Sequence, residues 1–137
     1  MTSRADPAAR LLRADILASA LRWTEALAIY SELAAKKDAP VAAKIGQAES
    51  LHALGETPQA ISVLEPLVRA GVANMTVQLR LTGLYADAQQ RDKARALWVQ
   101  IHPTGAEDRR WARYLEGRIL NLDGDPAAAA KCFEDLF

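Results

Sequence analysis

Between residues 43 and 71 the chain reads AKIGQAESLHALGETPQAISVLEPLVRAG. Ile45, Ala48, Leu51 and Leu54 recur every third residue, and Ile61, Leu64, Leu67 and Val68 repeat the pattern further on. Apolar residues three and four apart share one face of a helix, so the spacing predicts two short amphipathic helices joined at Gly55. Thr57 is expected to cap the second helix, and Pro58, with no N–H to lose, suits its first position. Gly71 is expected to close it by taking the left-handed conformation. Two such faces bury each other and still leave apolar surface for a neighbour. The stretch predicts a unit made for stacking.

The same alternation runs through the rest of the chain. Asp6-Pro7 opens a helix carrying Leu12, Ile16, Leu17 and Ala20, and Trp23-Thr24 turns into a second carrying Ala26, Leu27, Tyr30 and Leu33. Lys36 and Lys37 are placed in its last turn, against the negative end of the helix dipole, before Asp38-Ala39-Pro40 breaks it. A further pair is expected from about Thr76 to Ile101, turning at Gln89–Asp92, with His102-Pro103-Thr104-Gly105 cutting its second helix short. That connection is the least regular in the chain. The last pair starts near Asp108, turns at Asp123-Gly124 and restarts with Asp125 as cap and Pro126 behind it. No strand pattern occurs, and the expected class is all-α.

Stepping from Ala60 by a fixed interval gives Ala26, Ala60, Ala94 and Ala128. In the same register stand Leu17, Leu51, Tyr85 and Ile119; Ala20, Leu54, Ala88 and Leu122; and Tyr30, Leu64, Trp98 and Cys132. A fixed period of about 20–50 residues marks a solenoid. The period and columns resemble the tetratricopeptide repeat, whose pattern W-x2-L-G-x2-Y…A-x3-F…P recurs about every 34 residues. The A-x3-F part falls on the Ala and Tyr30 columns, and the Tyr is literal at Tyr85 alone. The Trp column holds Arg10, Lys44, Gln78 and Ala112, the Gly column Ala14, Ala48, Thr82 and Glu116, and the closing Pro is absent. The resemblance implies an α-solenoid of about eight antiparallel helices in four stacked hairpins (residues 7–40, 41–74, 75–108 and 109–137). These would form a single domain, read as a piece of a longer chain.

Composition narrows the function. Lys and Arg number 17, as do Asp and Glu, so no net field draws nucleic acid or an anionic membrane. The start MTSRADPAARLL lacks the apolar core of a signal peptide, no run approaches a membrane span, and a cytoplasmic location is expected. A single cysteine, Cys132, makes neither an internal disulfide nor a cysteine-based metal site. There is no phosphate-cradling glycine loop, no G-x-S-x-G and no H-E-x-x-H. His52 and His102 lie in different repeats. No enzyme activity, cofactor or metal is expected.

What remains is a binding surface. In the tetratricopeptide family the first helix of each repeat lines a concave groove that holds ligand peptides. The resemblance therefore implies a groove of Leu11, Asp15, Ile45, Glu49, His52, Leu79, Arg80, Asp87, Arg110, Arg113, Tyr114 and Asn121. It is acidic toward the first two repeats and basic toward the last two. The family's clamp for a C-terminal carboxylate is missing its Lys and both Asn at the matching places. The expected function is a protein-interaction scaffold taking a peptide or partner subunit. The alternatives are a non-catalytic segment of a larger enzyme or secretion assembly, and an RNA-binding repeat, which the zero net charge disfavours. Gly46, Gly83 and Gly117, inside the first helices, are read as close helix approaches. Phe133, Leu136 and Phe137 on the last helix are expected to self-associate or to meet a following segment.

Overall fold

The computed structural model describes residues 6–71 and 74–136, and among these it contains eight α-helices and no strand. They are α1 (Pro7–Ser19), α2 (Trp23–Ala34), α3 (Val41–Ala53), α4 (Thr57–Arg69), α5 (Met75–Asp87), α6 (Arg91–Trp98), α7 (Ala106–Leu122) and α8 (Pro126–Glu134). The expected caps form at two places. Asp6 Oδ1 accepts the Ala8 N–H at 3.1 Å ahead of Pro7, and Asp125 Oδ1 accepts the Ala128 N–H at 3.1 Å ahead of Pro126. Asn74 caps α5 in the same way, from the Val77 N–H at 3.0 Å. Thr57 is instead the first helical residue of α4, with Glu56 before it. Likewise α2 ends at Ala34, so Lys36 and Lys37 follow the helix and do not lie in its last turn.

One turn recurs four times. Leu21, Gly55, Gln89 and Gly124 each adopt positive φ, between 60° and 86°. Around each, the N–H of the next residue reaches a carbonyl five back (Arg22 to Leu17, Glu56 to Leu51, Gln90 to Tyr85, Asp125 to Leu120) at 2.8–3.0 Å. That is the left-handed helix stop, which satisfies carbonyls the helix end leaves open. The step from turn to turn is 34 residues, then 34, then 35. The fourth repeat therefore carries one extra residue, and every fourth-repeat assignment made at a constant step shifts by one.

The alanine equivalent to Ala26, Ala60 and Ala94, all fully buried, is Ala129 at 2% exposure; Ala128 is only half-buried. The large residue after it is Phe133 in place of Cys132, and the small position of the first helix is Gly117 in place of Glu116. An ion pair confirms the shift. Arg10 binds Glu32 across α1 and α2, and Arg113 binds Asp135 across α7 and α8 at the corrected register. The extra residue lies after Ile101, which still fills the buried column of Leu33 and Leu67. It is taken up in the connection around His102–Gly105, where α6 stops early and α7 starts early.

The chain divides into two compact units, Met1–Leu64 and Glu65–Phe137. In the first, α2 packs on α1 and α3, and α1 touches α3. Ala14, Ala26 and Tyr30 form a core there with Leu11, Leu17, Ala18 and Ile29 around it. In the second, α6 packs on α5 and α7, α7 packs on α8, and α5 meets α7. Leu79, Ile101, Ala112 and Leu115 form its core, flanked by Met75, Trp98 and Trp111. In each unit the second helix of one hairpin lies against the first helix of the next. This sequential packing is that of stacked helical hairpins.

Two of the three helical glycines are close approaches. A Cβ on Gly46 would come within 2.3 Å of the Tyr30 ring, and one on Gly117 within 2.6 Å of the Phe133 ring. Gly83 differs, because a Cβ there would meet only Leu115 at an ordinary 3.5 Å. Among the described residues no helix is long and apolar enough to cross a membrane.

Candidate functional site

In the second unit, α7 presents a line of side chains at successive turns: Glu107, Arg110 and Trp111, Tyr114, Arg118 and Asn121. Residues three and four apart on a helix lie one above another, so this line is one continuous face. Tyr114 stands at its centre, 43% exposed. Its ring meets Phe133 of α8 with centroids 5.8 Å apart and planes tilted by 46°, within the range where aromatic pairs attract. The Arg118 guanidinium lies 6.0 Å from the Tyr114 ring and forms an ion pair with Asp87 of α5. One turn toward the N-terminus, Arg80 of α5 lies 4.8 Å above the Trp111 ring. Guanidinium over an aromatic face is attractive because the ring's quadrupole is negative there.

Tyr114 borders two open recesses. One, of about 270 Å³, is walled by Glu107, Arg110, Trp111 and Leu136. The other, of about 370 Å³, is walled chiefly by Asp87, Arg118, Asn121, Leu122 and Phe133. The first has an apolar floor and a charged rim, which suits an apolar side chain flanked by polar backbone, whereas the second is lined mainly by polar surface. Neither holds a convergent set of catalytic groups. Cys132 is buried, its thiol donates toward Glu116 Oε1 at 3.7 Å, and burial followed by the Glu116 charge pushes it above the usual thiol range. A thiol held neutral is a poor nucleophile. Among the described residues no group of three or more His, Cys, Asp or Glu is placed to hold a metal ion.

The residues expected to line a groove fare differently. In the first unit Leu11 packs against the Ala14–Tyr30 core, Asp15 is exposed and accepts the Tyr30 hydroxyl at 2.5 Å, Ile45 and Glu49 are half-buried, and His52 is exposed. In the second, Arg80, Asp87, Arg110, Tyr114 and Asn121 are exposed on the α5–α7 side. Two expectations are corrected. Leu79 is fully buried in the core with Ile101 and Leu115, so it holds the unit together and offers nothing to a ligand. Arg113 turns toward α8, bound to Asp135 at 2.6 Å and to Glu116 at 2.5 Å, because the extra residue moves it into the column of Arg10. Arg118 takes its place on the exposed face, which sequence reasoning missed. Aligning Gly124 on Gly55 in place of Ala128 on Ala60 would have found it.

Trp111 packs on the Leu79–Leu115 core, and the Trp98 indole N–H donates to the Ala112 carbonyl at 3.0 Å, fastening the end of α6 to α7. Phe133 on α8 and Leu136 just beyond its end are half-buried, Phe133 over Gly117 and against Tyr114, while Phe137 lies outside the described residues. Compared with protein-family models, with curated proteins and with solved structures, the chain matches none.

Proposed function

We propose that this chain is a tetratricopeptide-like scaffold that binds a segment of a partner protein on the α5–α7 face around Tyr114. The observation that carries the reading is the exposed aromatic between two recesses, edged by Arg80, Arg110 and Arg118. The repeat assignment is supported by the corrected columns. Ala26 and Tyr30, Ala94 and Trp98, and Ala129 and Phe133 match A-x3-aromatic, with Leu64 as the exception. The small column Ala14, Ala48, Thr82 and Gly117 is buried throughout. The ligand that fits is an acidic segment with one or two bulky apolar residues. Exposed ion pairs are worth only about 0–1 kcal/mol each, so the apolar anchors supply most of the affinity and the arginines the direction and rate of docking.

The test is titration of labelled peptides that share a Leu or Phe anchor and differ only in acidic or basic flanks. Acidic peptides should bind and basic ones should not, added salt should blunt the difference, and Tyr114→Ala should weaken binding about tenfold or more. Equal binding of both sets, or none, would end the proposal.

A further inference from the structure

We infer that the site around Tyr114 continues into a third recess at the turn between α5 and α6, and that its ligand is an extended peptide segment crossing all three. The inference rests on the peptide-binding reading above and adds the course and conformation of the ligand. The third recess has a volume of about 450 Å³ and is walled by Gln89, Gln90, Arg91, Asp92, Lys93 and Leu122. Gln89 and Leu122 also wall the second recess, just as Tyr114 walls both the first and the second. The three therefore adjoin in a line, all within the second unit. From Trp111 to Leu122, α7 rises about 16 Å at about 1.5 Å per residue. About five residues of extended chain cover that length.

The third recess carries the feature that points to a peptide backbone. Gln90 precedes α6 without capping it, and its side-chain Oε1 is buried with no hydrogen-bond partner among the described residues. A buried oxygen without a donor is unfavourable. The last torsion of a glutamine is soft, so the amide can swing into the recess to meet a donor there. A peptide N–H is such a donor. In a helical ligand those groups are engaged by the ligand's own carbonyls, whereas an extended segment leaves them free. Charge plays little part at this end, because Asp123 lies 3.5 Å from Arg91 and Glu65 lies 3.9 Å from Lys93. The apolar anchor thus fills the first recess, an acidic side chain reaches Arg118 in the second, and the backbone beyond crosses Leu122 to Gln90.

Titration of labelled peptides on the full chain tests this. A short peptide carries a Leu or Phe anchor and one acidic residue, and two longer ones add three serines at its N-terminal or its C-terminal end. One longer peptide should bind about fivefold tighter or more, and the other should gain less than about twofold, since one end alone points across Leu122. Added salt should leave that gain in place. Gln90→Met keeps the length of the side chain and removes its amide, so it should abolish the gain and leave the short peptide's affinity unchanged. N-methylating the amides of the extension should abolish it from the ligand's side, where the fold of the protein is not in question. Tyr114→Ala should weaken short and long peptides alike. A short peptide that binds while neither extension tightens it would overturn the inference and leave the reading around Tyr114 standing. A gain that survives both Gln90→Met and N-methylation would overturn it too, and a short peptide that does not bind would end both.

Discussion

Gly46, Gly83 and Gly117 look alike in the sequence, and all three suggest helices drawn close together. Geometry separates them. Gly46 and Gly117 lie beneath aromatic rings that leave no space for a methyl group, whereas Gly83 has ordinary room beside Leu115. Gly46→Ala should therefore displace Tyr30, break its bond to Asp15 and cost about 1–3 kcal/mol of stability, as overpacking does. Gly83→Ala should instead stabilise the chain by about 0.5–1 kcal/mol, because glycine is a poor helix former. Urea unfolding midpoints of the two variants check both signs. The sequence lists which residues are small, but not which neighbour leans over each one, since that depends on helices far apart in the chain. Leu79 was misplaced for the same reason: its spacing suits an exposed face, and only the packing of α5 on α7 shows it to be interior.

Helix number and turn positions were legible from apolar spacing throughout, backed by glycine at two of the turns and by Asp-Pro caps at α1 and α8. The extra residue in the fourth repeat was not. Residues 127–130 are four consecutive alanines, so a constant step lands on Ala128 as comfortably as on Ala129. The information lay in polar residues, in Gly124 against Gly55 and in the matched pairs Arg10–Glu32 and Arg113–Asp135. The turns make their own prediction. Leu21 and Gln89 occupy the left-handed position that Gly55 and Gly124 hold elsewhere, a conformation that costs a side chain about 1–2 kcal/mol. Leu21 is 71% exposed, so little packing is lost on its removal. Leu21→Gly should raise stability by up to about 1 kcal/mol and Gly55→Ala should lower it by a similar amount, read from thermal midpoints.

Each unit holds one buried tyrosine whose hydroxyl donates to a carboxylate, Tyr30 to Asp15 in the first and Tyr85 to Glu65 in the second, both at 2.5 Å. Burial first, and then the carboxylate partner, push both phenols above the ordinary tyrosine range. A raised folded pKa means the fold favours the neutral phenol. The stabilisation is complete below the unfolded value of about 10 and is lost as pH climbs toward the folded value. Stability should therefore fall above about pH 10, and Tyr30→Phe with Tyr85→Phe should flatten the fall. Urea midpoints measured across that range in wild type and double variant decide it. At this scale sequence reasoning delivered the class and the hairpin plan. The apolar face left open on α1 escaped it, since Leu12 and Ile16 have the spacing of ordinary core positions yet stand 60% exposed.

The connection from Val99 to Gly105 absorbs a residue without disturbing the turn on either side of it. Each hairpin is closed by its own backbone bonds, so the length of chain between hairpins is free while the length within one is fixed. For anyone wishing to cut, lengthen or splice this protein, that stretch is the seam. A tag or graft placed there spares all four hairpin turns. The same insertion at Gly55 or Gly124 would rotate one helix face by about 100° per residue and turn its core toward water.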